Sequence, residues 1–214
     1  MVDVSVMMCD DHVQIRDSIL QTLEQEFSFK ICGRASSGKE CIELISSGIK
    51  PTILILDISM PNGMHGYDVA KFLQKNYPAI KILVFSSFDD RAAIKAMIRF
   101  GAKGFVCKGG QTDELKRALL EVTNGGTYFP KDFIITAKEI KEIQSKPIEW
   151  AENMTQKEWD LAHLITSDLP LKQVAAKLDI SESVASKRRK SVFKKTGAKS
   201  SIGLIAFLKK IGIM

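Results

Sequence analysis

Residues 4–15 read VSVMMCDDHVQI, an apolar run of β character that ends in two neighbouring acids, Asp10 and Asp11, with Cys9 before them and His12 after. Adjacent carboxylates repel each other, and neither suits the strand they terminate, so a bound cation would offset the concentration of charge. On their own these four residues leave three readings open: a hard cation held by oxygens, a softer metal taken by Cys9 and His12, or a solvated loop. A third acid, Asp57, closes another apolar run in ILILDISMP. Ser86 and Ser87 close a further run, and Lys108 ends the next. Three carboxylates converging on one pocket suit Mg²⁺, which takes oxygen ligands and retains waters. An aspartate is ionised at neutral pH, so Asp57 can act as a nucleophile toward phosphorus without a general base. The oxygens of an attacked phosphoryl group need their charge neutralised, and Mg²⁺, the Lys108 ammonium and the Ser86 hydroxyl are suited to that. Each residue alone fits an ordinary polar strand end. Their coincidence at one edge favours the chemistry.

That edge requires a sheet whose strands all end on the same side. Short apolar or β-branched runs occur at 4–8, 29–32, 53–56, 80–85 and 104–106. Helical patterns lie between them. Ile19, Leu20, Leu23 and Phe27 share one side of a first helix over roughly 13–26. Cys41, Leu44 and Ile45 follow Ser37-x-x-Glu40, a capping-box start. Val69, Phe72 and Leu73, then Ile94, Met97 and Ile98, recur at i, i+3, i+4, and Leu115, Leu119 and Val122 complete the series. Five β-α units with nearly wholly apolar third and fourth strands predict a doubly wound parallel α/β domain. In such sheets the site lies beyond the carboxyl ends of the strands. Neither G-x-G-x-x-G nor G-x-x-x-x-G-K-[ST] is present, so dinucleotide and P-loop readings lose their support.

The chain has 214 residues and a formal net charge of +6, and the position of that charge is informative. Residues 1–124 hold 15 basic and 15 acidic side chains, whereas residues 154–214 hold 12 against 5. The expected division is a domain over 1–124, a linker over 125–153 containing one helix near 133–143, and a basic domain over 154–214 with a polyanionic partner. The four cysteines lack C-x-x-C spacing and read as reduced small hydrophobes. No run approaches the roughly 18 apolar residues that span a bilayer, and the start lacks the basic residues of a secretory signal. The expectation is a cytoplasmic protein without membrane contact.

From Met154 the pattern is four short helices. Thr155-x-x-Glu158 opens the first, with Leu161, Leu164 and Ile165 inward. Leu171, Val174, Ala175 and Leu178 mark the second. A long basic helix over about 182–196 stops at Gly197, and Leu204, Phe207, Leu208 and Ile211 mark the last. At about 100° per residue, Ala185, Val192 and Thr196 of the basic helix face inward. Ser183, Ser186, Lys187, Lys190 and Lys194 face outward, while Arg188, Arg189 and Lys195 flank the inner stripe and could reach phosphates. No acid occurs from Ser183 to Ser201, unlike the mixed surface of a merely solvated helix. A shorter helix, a tight turn and a basic helix have the layout of a helix-turn-helix reading the major groove.

Over residues 3–124 the set CDDH, LDISMPNGMHG, VFSSF and GFVCKG resembles the receiver domain of two-component response regulators. The resemblance implies that Asp10 and Asp11 hold Mg²⁺, with Asp57 and the Ser59 backbone carbonyl completing the site. It implies that Asp57 accepts phosphate from a histidine kinase or phosphotransfer protein, that Ser86 is a hydroxyl switch and that Phe105 is an aromatic rotamer switch. Phosphorylation would draw in Ser86 and let Phe105 turn inward. Catalysis would be limited to autophosphorylation and autodephosphorylation. The segment between Pro61 and Gly66 is one residue longer than the commonest form, and Gly109 follows Lys108 where many receivers have proline.

MTQKEWDLAHLI, LKQVAAKLDIS and KKTGAKS are similar to the LuxR-type helix-turn-helix domain. Together the two halves resemble the NarL/FixJ class, and its capsule-regulator and virulence-regulator (RcsB- and BvgA-like) branch most of all. The implied partner is double-stranded promoter DNA, bound by a homodimer formed on phosphorylation. Ser183 would lie on the DNA-facing side, Ser186, Lys187 and Lys190 would face base edges, and Arg188, Arg189, Lys194 and Lys172 would contact backbone. The last helix serves equally well as dimer element or core. Two other functions compete. One is a regulator that binds DNA without phosphate, alongside a partner protein. The other is an aspartyl-phosphate phosphatase, which would favour an acid where Ser59 stands.

Overall fold

A computed structural model describes residues 4–60, 64–87, 89–110, 112–167 and 169–214, the Thr112 side chain excepted. The chain divides into two compact units, residues 1–146 and 147–212 apart from the last two residues. The first unit is built on a parallel sheet of β1 (Ser5–Cys9), β2 (Lys30–Ala35), β3 (Ile53–Leu56), β4 (Lys81–Ser86) and β5 (Gly104–Cys107). Their spatial order is β2-β1-β3-β4-β5, so the chain reverses direction of winding after β2 and a crevice opens beside β1. β1, β3 and β4 are buried along nearly their whole length, as their continuous apolar composition requires of strands covered on both faces.

The strands alternate with α1 (Val13–Gln25), α2 (Gly38–Ser46), α3 (Gly66–Asn76), α4 (Arg91–Arg99) and α5 (Thr112–Thr123). Local chemistry sets several starts. The Ser37 hydroxyl accepts the Glu40 N–H to open α2, and the Asp90 carboxylate accepts the Ala92 N–H to open α4. Gly66 begins α3 against the end of β3, where a Cβ would overlap the Asp57 carbonyl. On one face of the sheet Leu20 and Leu23 of α1 and Leu115, Leu119 and Val122 of α5 pack with Val6, Met8, Ile53, Ile55 and Leu83. That burial holds all five strand ends at a common edge.

The stretch after α5 differs from the single helix expected near 133–143. It forms α6 (Ala137–Ser145) and α7 (Glu149–Asn153). Thr136 and Glu139 make a capping box that delays the start of α6 past Phe133. α7 is too short to show a helical period in sequence; the Trp150 ring packs edge-on against Phe207 at 5.5 Å. Before α6, the Tyr128 carbonyl accepts the Phe105 N–H at 2.7 Å, which extends the edge of β5. Residues 125–146 group with the first unit and α7 with the second.

The second unit continues with α8 (Gln156–Ile165), α9 (Leu171–Lys177), α10 (Glu182–Thr196) and α11 (Ser201–Lys210). Ala185 and Val192 of α10, Leu161 and Ile165 of α8, Val174 and Ala175 of α9, and Leu204 and Leu208 of α11 are buried. Gly197 ends α10 with φ +73°, a left-handed stop that suits glycine. No helix of the described residues is long and apolar enough to cross a membrane.

Candidate functional site

The ends of β1, β3, β4 and β5 bring Asp10, Asp57, Ser86 and Lys108 together. The Lys108 ammonium lies 2.7 Å from Asp57 Oδ2 and 2.8 Å from Asp10 Oδ2. All three are withdrawn from solvent: the side chains are 9% exposed at Lys108, 2% at Asp57 and 0% at Asp10. Parallel pairing of β4 with β5 sets Ser86 opposite Cys107, and the Lys108 N–H donates to the Ser86 carbonyl at 2.9 Å. Ser86 is itself fully buried. Phe105 is 1% exposed, with its backbone paired to Val84, so its ring is already inside the domain.

Asp11 is half-buried beside Asp10. Ser59 follows β3, and its N–H approaches Asp57 Oδ1 at 3.4 Å, a long contact. The loop with the extra residue, Pro61 to Gly66, has its first three residues outside the described ones. The Lys108–Gly109 bond is trans, as glycine there suggests.

Burial pushes the Asp57 carboxyl above its ordinary value, and the nearby Lys108 charge only partly opposes this. Burial alone would pull Lys108 down, yet the Asp57 and Asp10 carboxylates outweigh it and hold the ammonium more firmly protonated. Asp10 and Asp57 share the Lys108 ammonium, and Asp11 adds a third carboxylate beside them. Ligand atoms of Asp10, Asp11, His12 and Asp57 lie within 4.8 Å of one another, and buried Asp11 Oδ1 makes no hydrogen bond, with the His12 ring nitrogen 3.1 Å away. The oxygen donors and the surplus negative charge fit a hard divalent cation.

His12 occupies the N-cap of α1 and is 59% exposed, and its ring turns back into the acidic cluster. Nδ1 lies 3.3 Å from Asp10 Oδ1 and 3.1 Å from Asp11 Oδ1. The adjacency in CDDH was the available signal; the backbone turn at the N-cap was needed to aim the ring. Cys9 is buried in the sheet, its thiol donating to the Ser37 carbonyl at 3.4 Å.

In the second unit Ser183, Lys187, Lys190 and Lys194 are exposed along α10 and Lys172 is exposed on α9. Ser186, Arg188 and Arg189 are half-buried, and Arg188 Nη1 donates to the Lys157 carbonyl at 3.3 Å. Lys195 corrects the expectation that it reaches phosphates. Its ammonium lies 2.7 Å from Glu158 Oε2 and donates to the Asn153 carbonyl at 2.6 Å. Glu158 also accepts from Ser191 at 2.6 Å and from the Thr155 N–H at 2.8 Å. Burial alone would raise this carboxyl, but Lys195, Ser191 and Thr155 together hold it down at about 2. Helical projection put Lys195 beside the inner stripe; only the approach of α8 shows that it ties the basic helix to its support.

A family model described as the response regulator receiver domain matches residues 6–120. Among curated relatives, the transcriptional regulatory protein MctR of Rhizobium johnstonii is 28% identical over 211 residues, covering 99% of this chain and 95% of its own. The oxygen regulatory protein NreC of Staphylococcus aureus is 26% identical over 214 residues, covering 97% of each. Among solved structures, the RcsB response regulator of Salmonella typhimurium matches with a TM-score of 0.63 at 23% identity, covering 99% of both chains. An RcsB–DNA complex matches with a TM-score of 0.57 at 23% identity, covering 98% of this chain and 99% of that one. These structural likenesses bear on the fold.

Proposed function

The chain belongs to the response regulator receiver family, and from that premise we propose that it is a phosphorylation-controlled, DNA-binding transcription factor with Asp57 as phosphoacceptor. One observation carries the reading: the Lys108 ammonium lies within 2.8 Å of both Asp57 and Asp10, all three withdrawn from solvent, at the carboxyl edge of the parallel sheet. An Asp57 carboxylate oxygen attacks the phosphorus of a phosphohistidine on a sensor kinase or phosphotransfer protein. The P–N bond breaks, a P–O bond forms, and the imidazole leaves. Lys108 neutralises developing charge on the phosphoryl oxygens. Asp10, Asp11, Asp57 and the Ser59 carbonyl are the groups that would hold Mg²⁺, which when bound supplies further neutralisation of those oxygens. The Ser86 hydroxyl then turns to the phosphoryl group, and that closure keeps the Phe105 ring inside and biases the α4–β5–α5 surface.

The output is a homodimer on paired half-sites of promoter DNA, with α10 in the major groove. Ser183 lies on the DNA-facing side, Ser186, Lys187 and Lys190 toward base edges, and Arg188, Arg189, Lys194 and Lys172 toward phosphates. Lysines exposed along α10 with no acid from Ser183 to Ser201 support this assignment. The names of MctR and the RcsB–DNA complex point the same way. The domains that perform these steps are assigned as residues 1–124 and 154–214, and the site of action is the cytoplasm.

Phosphoramidate and Mg²⁺ are added to the wild-type chain and to Asp57→Ala, followed by intact mass and a promoter-fragment shift assay. Wild type gains the mass of one phosphoryl group and binds DNA more tightly; Asp57→Ala does neither. No mass gain in wild type removes the phosphoacceptor assignment. Equal DNA binding by both favours a regulator that works without phosphate beside a partner protein.

A further inference from the structure

The acidic pocket contains a nitrogen donor that oxygen chemistry alone does not use. Lys108 takes the Oδ2 atoms of both Asp57 and Asp10. The opposite oxygen of Asp10, Oδ1, accepts the His12 N–H at 2.9 Å and lies 3.3 Å from His12 Nδ1. Asp11 Oδ1 is 3.1 Å from the same ring nitrogen. The cluster therefore has two sides. Lys108 serves one, and on the other an imidazole nitrogen stands among carboxylate oxygens. The Asp10, Asp11, His12 and Asp57 donor atoms lie within 4.8 Å of one another. Donors opposite each other across an ion bonded at about 2.1 Å are about 4.2 Å apart, so the four atoms are close enough together to share one ion.

We propose that His12 donates a ring nitrogen to the divalent ion of this pocket, so that the site favours Mn²⁺ over Mg²⁺. Mg²⁺ keeps to oxygen ligands and dehydrates reluctantly, whereas affinity for nitrogen-containing sites rises along the first-row series that begins at Mn²⁺. The ring is positioned without cost to the core: it sits at the N-cap of α1, 59% exposed, and the His12 backbone N–H is anchored on Asp10 Oδ1. His12 thus becomes a determinant of which cation the pocket selects. The proposal rests on the metal-site reading given above.

The test uses full-length protein, wild type and His12→Gln, with Mn²⁺ alone as the probe and pulsed electron paramagnetic resonance as the readout. Wild type shows the coupling of a directly bound nitrogen, and His12→Gln shows none. By Mn²⁺ titration the variant binds about ten-fold more weakly, while Mg²⁺, measured by competition, changes by less than about two-fold. Bound Mn²⁺ without nitrogen coupling in wild type overturns the proposal and leaves the oxygen site standing. Equal losses for both ions also overturn it, since His12 would then act only by holding the carboxylates. Mn²⁺ binding that persists in Asp10→Asn with Asp11→Asn overturns the pocket reading as well. The exposed position makes His12→Gln compatible with folding, and far-ultraviolet circular dichroism checks it.

Discussion

Two lysine–carboxylate clusters in this molecule look alike and behave oppositely. At the sheet edge Lys108 meets Asp57 and Asp10 at 2.7 and 2.8 Å; in the second unit Lys195 meets Glu158 at 2.7 Å. The Asp57 carboxyl is pushed up, whereas Glu158 is held down at about 2. The difference lies first in burial, which prevails at Asp57 and is overcome at Glu158, and then in how completely each charge is answered. Glu158 has an ammonium, the Ser191 hydroxyl and the Thr155 N–H and hydroxyl for one carboxylate. Lys108 is shared by two buried carboxylates, with Asp11 beside them. A satisfied cluster fixes a helix in place; an unsatisfied one retains a demand for positive charge.

The largest effect that would break this contrast is at Lys108. Lys108→Ala should slow phosphoryl uptake from phosphoramidate by about 10²- to 10³-fold, the usual cost of removing one donor to a developing charge. Time-resolved intact mass measures it, and a rate within a few-fold of wild type would mean that Lys108 only balances charge at rest. Promoter binding by the unphosphorylated chain should not change.

Glu158→Gln should act on the other property. Loss of the charge partner of Lys195 is expected to destabilise the second unit by about 1–3 kcal/mol and to weaken DNA binding, with phosphoryl uptake unaltered. Urea unfolding and the two functional assays separate these. The pH dependence sharpens the comparison. The folded value of Glu158, about 2, lies below its ordinary 4.5, so the folded state binds fewer protons between those limits. Its contribution is complete above about pH 4.5 and is lost as pH falls through about 2. The wild-type advantage over Glu158→Gln should shrink along that interval.

At Asp57 the sign reverses. Its folded carboxyl lies above the ordinary 3.8, so ionisation in the folded state costs stability. In the presence of EDTA, Asp57→Asn should therefore be more stable than wild type near neutral pH, and that gain should vanish as pH falls through 3.8. Thermal denaturation at several pH values measures it. The smallest effect is at the DNA surface: Lys190→Ala should weaken promoter binding several-fold at fixed salt, and if Lys190 contacts a phosphate the salt slope should fall by about one. Unchanged affinity would remove Lys190 from the interface.

Much of this was legible before any coordinates. The third strand run was right at both ends, the first, fourth and fifth to within one residue and the second to within three, because continuous apolar composition marks a buried parallel strand. The Ser37 and Thr155 caps were readable as four-residue motifs, and Gly197 as a stop. α7 was missed because five residues carry no helical period, and what buries Trp150 is distant in sequence. The start of α6 was set too early because Phe133 was counted as helical, while the Thr136–Glu139 box places the boundary beyond it.

By itself the sequence determined the alternation of strands and helices, the residue type ending each strand and the separation of neutral from basic charge. Those follow from periodicity and composition, which act over a few neighbours. The tertiary structure decided which oxygen of Asp10 faces Lys108 and which faces His12, that Lys195 is bound to Glu158, and that one ammonium serves two carboxylates. Each depends on the relative positions of elements tens of residues apart, set by sheet register and helix packing. Charge balance is a property of the assembled pocket, because burial makes every unmatched charge count.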